Sequence, residues 1–83
     1  MGRREKLIGR LLSRPRDFTF EELAALLGGF GYVIKSAGKT GGSRVTFVSD
    51  GDYIRIHKPH PRNILKPYQV DDIISALTER GLL

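Results

Sequence analysis

Two alternating runs of side chains on either side of an Asp-Gly pair constrain this chain more than any other feature. In residues 43–48, Val45 and Phe47 fall on one face of an extended segment, and Arg44 and Thr46 fall on the other. In residues 53–57, Ile54 and Ile56 repeat the apolar phase, while Arg55 and His57 share the polar one. Between them lies Ser49-Asp50-Gly51-Asp52, whose Asp-Gly supplies the positive φ values that a two-residue hairpin turn needs. The pattern predicts an antiparallel hairpin with one apolar face and one polar, cationic face. The apolar face has to be covered, and the remaining segments offer helices to cover it.

Residues 5–13 predict a first helix, with Leu7, Ile8, Leu11 and Leu12 on one side. Arg14-Pro15-Arg16 ends it, because a residue before proline avoids the helical region. Thr19 and Glu22 have the spacing of a capping box for a second helix, with Phe18 and Leu23 as its hydrophobic staple. Phe20, Leu23, Ala24 and Leu27 form its buried stripe, and Gly28-Gly29 is expected to close it. Residues 32–36 predict a first strand, with Tyr32 and Ile34 on one face, and residues 38–42 a glycine-rich basic loop. A last helix is expected from Pro67, with Asp71 and Asp72 near its start and Val70, Ile73, Ile74 and Leu77 inward, ending at Gly81. The order α-α-β-β-β-α makes an α+β fold. One three-stranded antiparallel meander carries helices on one face, in a single domain over residues 1–83.

Charge is distributed unevenly along the chain. The net charge is +5, and residues 35–66 carry +5 by themselves, with residues 1–34 at +2 and residues 67–83 at −2. A basic middle segment implies a polyanionic partner. There is no cysteine, so disulfide and thiolate-metal chemistry are excluded. The apolar stretch 7–12 is interrupted by Arg10 and is too short for a signal peptide or a membrane span, which points to the cytoplasm and away from a membrane.

The chemistry concentrates in residues 55–66, Arg-Ile-His-Lys-Pro-His-Pro-Arg-Asn-Ile-Leu-Lys. Both histidines of the chain, His57 and His60, lie there among Arg55, Lys58, Arg62 and Lys66, and Pro59 and Pro61 stiffen the segment. The H-x-x-H spacing lacks further ligands for a metal, so no metal or other cofactor is expected. The residue types suit acid–base cleavage of RNA instead. An imidazole can take the 2′-hydroxyl proton, and cations can stabilise the charge on a pentacovalent phosphate. Gly38-Lys39-Thr40 lacks the earlier glycine and the following helix of a phosphate loop. No serine stands in a nucleophile elbow, Asp50 and Asp52 serve the turn, and the phenylalanines belong to the core rather than to a base-stacking platform.

The chain resembles the HicA family, the toxin half of a bacterial toxin–antitoxin pair. The resemblance rests on Gly31-Tyr32, on Gly42-Ser43 and on Asp50-Gly51. It rests also on His60-Pro61 followed by Ile64-Leu65-Lys66-Pro67, and it covers about residues 4–83. It implies a double-stranded-RNA-binding-domain-like fold and a toxin of a type II system that cuts mRNA as an endoribonuclease. A HicB-type antitoxin would then cover the active surface, with the toxin a monomer when free and part of a hetero-oligomer with the antitoxin. The family's usual histidine follows the Gly-Ser pair, and here that position is Arg44, which cannot act as a base.

Two readings follow. In the first, the chain is a metal-independent endoribonuclease with His57, His60 and Arg44 in the catalytic set, and Lys39, Ser43, Arg44, Arg55, Lys58 and Lys66 binding RNA. His57 is expected to be the base and His60 the acid or the group that orients the phosphate. In the second, the same residues only bind RNA or an antitoxin, and Arg44 in place of histidine favours that reading.

Overall fold

The computed structural model describes residues 2–37, 44–59 and 62–83, and the side chains of Ser36 and Ala37 are not described. The elements run α1 (Arg3–Leu12), α2 (Phe20–Gly29), β1 (Val33–Ala37), β2 (Arg44–Ser49), β3 (Asp52–His57) and α3 (Pro67–Glu79). The strands form one antiparallel sheet in the order β1-β2-β3. This is the α+β arrangement expected from the sequence, with the layout of a double-stranded-RNA-binding domain.

Local chemistry explains most boundaries. At the start of α2, the Thr19 hydroxyl accepts from the Glu22 amide, and the Glu22 carboxylate accepts from the Thr19 amide at 2.9 Å. Phe18 and Leu23, the predicted staple, are both fully buried. The helix runs through Gly28 and Gly29, so the left-handed stop falls later than expected, at Gly31 with φ +94°. There the Tyr32 amide reaches back to the Leu27 carbonyl at 2.9 Å, the long bond of a helix-ending turn. The end of α1 uses the same device on a less suitable residue, since Arg14 takes φ +51° and donates its amide to the Leu11 carbonyl.

The core lies between the helices and one face of the sheet. Leu11 of α1, Leu23 and Leu27 of α2 and Leu77 of α3 are fully buried against Val45, Phe47, Ile54 and Ile56. The inward phase of β2 and β3 is the one the sequence predicts. Two apolar residues depart from expectation. Leu12 is exposed, because the buried stripe of α1 passes through Leu7 and Leu11. Ile34 does not share a buried face with Tyr32. The register of β1 shifts between Ile34 and Ser36, and Ile34 stays 47% exposed on an edge strand, whereas Tyr32 is buried just before that strand.

Residues 62–66 are tied to the entry of α2 rather than lying free on the surface. The Phe20 amide donates to the Asn63 carbonyl at 2.7 Å, and the Leu65 amide to the Phe18 carbonyl at 2.8 Å. Leu65 is buried there. The first turn of α3 holds no acidic side chain, and Asp71 and Asp72 fall in its second turn. Asp71 pairs with Arg14 at 2.8 Å. Among the described residues no helix is long and apolar enough to cross a membrane.

Candidate nucleic-acid interface

The site begins with the turn between β2 and β3. Asp50 and Gly51 have φ +46° and +81°, the pair of left-handed residues of a tight hairpin turn. A two-residue turn leaves one register, and it sets Ser49 opposite Asp52, Val48 opposite Tyr53, Thr46 opposite Arg55 and Arg44 opposite His57. Side chains directly opposite each other stand about 5 Å apart at Cβ. Arg44 and His57 therefore meet on the face that the helices leave open, with Arg55 one pair further in. All three are exposed.

The electrostatics of this face follow from how the arginines are used elsewhere. Arg10 is paired with Asp17 and Glu22, Arg14 with Asp71 and Arg80 with Asp52. Their charge is matched locally. Among the described residues neither Arg44, Arg55 nor Lys35 pairs with a carboxylate, so the open face keeps its positive field. Asp52 belongs to the other side of the hairpin. Its carboxylate accepts from Arg80 Nε at 2.6 Å and from the Tyr32 hydroxyl. The Arg80 guanidinium, then the Tyr32 hydroxyl, hold its pKa down to about 2. Burial, followed by that same carboxylate, pushes the Tyr32 hydroxyl up. Asp52 thus locks the hairpin to α3 and to the start of β1, and is no part of the cationic face.

His57 is positioned by a residue that the sequence reading passed over. Gln69, 5% exposed, donates its Nε2 to the His57 carbonyl at 2.9 Å. Its Oε1 accepts from the Lys66 amide, also at 2.9 Å. One buried amide so joins the end of β3 to the start of α3. The available signal was a glutamine three residues after Lys66, the reach-back half of a capping box. Residues Arg55 and His57 line a groove between β3 and α3, together with Tyr68, Gln69 and Asp72.

The other expected site residues divide. Lys58 continues the inward phase of Ile54 and Ile56 and sets its ammonium 5.5 Å from the centre of the Phe20 ring, on the α2 side. Lys66 is exposed at the N-cap of α3. Lys39, Ser43 and His60 lie outside the described residues. Among the described residues no three histidine or carboxylate side chains gather as metal ligands.

A family model for the HicA toxin of bacterial toxin–antitoxin systems matches residues 20–78. The chain belongs to the HicA toxin family. No curated protein and no solved structure matches it. The matched span runs from the first residue of α2 into the last turn of α3, so it contains the whole sheet and the Arg44–His57 pair, while α1 lies outside it. Membership makes the chain a toxin of a toxin–antitoxin system.

Proposed function

We propose that this HicA-family toxin is a metal-independent endoribonuclease of a type II system, acting on mRNA at the open face of its sheet. The observation that carries the reading is the pairing of Arg44 with His57 across β2 and β3, with Arg55 beside them. An imidazole and two unneutralised guanidinium groups on one exposed surface form a phosphate site with a base in it.

In this mechanism Arg44 and Arg55 hold the scissile phosphate through charge-assisted hydrogen bonds. The neutral imidazole of His57 removes the 2′-hydroxyl proton, and the 2′-oxygen attacks the adjacent phosphorus. The negative charge that builds on the phosphoryl oxygens meets the same guanidinium groups. The bond from phosphorus to the 5′-oxygen breaks, and His60 in its imidazolium form is the proposed donor to that oxygen. The products are a 2′,3′-cyclic phosphate and a 5′-hydroxyl. The RNA supplies its own nucleophile, so no serine or cysteine is required.

The proposed partner is a HicB-type antitoxin that covers the cationic face with acidic side chains, where charge complementarity speeds association. The free toxin is proposed to be a monomer and the neutralised form a hetero-oligomer. One observation favours a non-catalytic RNA-binding module instead: Arg44, at the position of the family's usual histidine, cannot serve as a base. The two readings separate on one experiment. Purified wild-type protein in excess chelator should cut single-stranded RNA and leave 2′,3′-cyclic ends, and His57→Ala should abolish cutting while RNA binding persists. Binding without cutting by the wild type would establish the second reading. Loss of cutting on chelation would end the metal-free mechanism.

A further inference from the structure

The open face has a second half that the phosphate chemistry does not use. Along β3, Tyr53 lies two residues from Arg55 on the same face, about 7 Å away at the rise of a strand. It is 49% exposed. Its cross-strand partner is Val48, and Val48 in turn pairs with Val33 of β1, which is 62% exposed. These three side chains line a shallow hollow that continues over Lys35 to the Asp50-Gly51 turn. The Arg55 guanidinium sits over the Tyr53 ring, 5.9 Å from its centre, and Arg55 also lines the groove beside His57. An exposed aromatic ring with aliphatic neighbours thus adjoins the cationic pair.

We propose that this hollow is a nucleobase subsite: one unpaired base of the RNA strand stacks on Tyr53 while a neighbouring phosphate lies at Arg44, Arg55 and His57. The proposal rests on the RNA reading above. Three features argue for a base there. A flat apolar surface beside an aromatic ring suits any base, because every base has a π-face. The cation over the Tyr53 ring places a phosphate contact next to the stacking surface, so one strand can engage both. Asp50 lines the hollow, and its carboxylate repels a phosphate but accepts hydrogen bonds, which favours a base bearing an exocyclic amino group. The face is therefore divided into a cationic end for the backbone and an apolar end for a base.

The test uses the full chain carrying His57→Ala, so that RNA is bound but not cut. Fluorescence anisotropy compares a single-stranded RNA of about twelve nucleotides with the same ribose-phosphate backbone lacking bases. Tyr53→Ala should weaken binding of the RNA about tenfold or more, leave binding of the abasic strand unchanged, and keep the salt dependence of the parent. Tyr53→Trp should restore the affinity. Since the chain has no tryptophan, the new indole fluorescence should be quenched when RNA binds. Equal RNA affinity for Tyr53→Ala and its parent would overturn the subsite alone. So would equal losses on RNA and abasic strands, or an unquenched indole. Failure of the parent to bind any RNA would overturn the RNA reading and the subsite with it.

Discussion

The division of the arginines into paired and unpaired groups makes a quantitative prediction about salt. Each phosphate neutralised on a single strand releases counterions and contributes about 0.7 to the slope of log affinity against log salt. Replacing both Arg44 and Arg55 by alanine removes two unpaired cations from the open face, so the slope should flatten by about 1.4. Between about 50 and about 200 mM salt, the advantage of the parent over the variant should then shrink about sevenfold. The comparison is made on the His57→Ala background by anisotropy with single-stranded RNA. Arg14→Ala with Asp71→Ala is the control, because that pair is mutually neutralised at 2.8 Å and its joint removal leaves net charge unchanged. The control should keep the parental slope. A variant lacking Arg44 and Arg55 that keeps the parental slope would refute the placement of the phosphate contacts on this face.

Three further perturbations test the supports of the site. Gln69→Met leaves the His57 carbonyl and the Lys66 amide without their partner, so stability in urea titration should fall by about 2 kcal/mol; RNA cleavage should slow more than RNA binding weakens. Asp52, held at a pKa of about 2 against an ordinary 3.8 by Arg80 and then Tyr32, contributes stability that is fully present above about pH 4 and is lost as the pH falls through about 2. Asp52→Asn should therefore be less stable than the wild type at neutral pH, with the gap closing in acid; a constant gap on thermal melting would contradict the lock. Arg14 occupies the left-handed region at φ +51°, so on an Asp71→Ala background Arg14→Gly should add about 1 kcal/mol, or roughly 5 °C in Tm, and an unchanged Tm would refute the strain.

How far the site could be read in advance depended on the range of the interactions that build it. The hairpin was legible because its causes are local. Alternation marks the faces, and Asp50-Gly51 admits a turn that leaves one register, so Arg44 and His57 could be expected on the same surface. The capping box at Thr19 and Glu22 was legible for the same reason. Gly31 was harder to foresee as the stop of α2, because Gly28-Gly29 carries the same local signal and only the continued hydrogen bonding of the helix distinguishes them. Ile34 was misassigned because alternation presumes a regular strand, and the register of β1 shifts just there.

Tertiary structure decided which charges are available to a ligand. Composition gives +5 and places the excess in residues 35–66. It cannot show that Arg10, Arg14 and Arg80 are neutralised by carboxylates from other segments, or that Lys58 turns toward Phe20. It also cannot show that Gln69, twelve residues along the chain, holds the backbone of His57. By itself the sequence determined the elements, the two faces of the hairpin and the residue types at the cationic end. Their use as a site depended on contacts between residues far apart in the chain. A side chain's phase along a strand is a local property, whereas its partner is chosen by the packing of the whole fold.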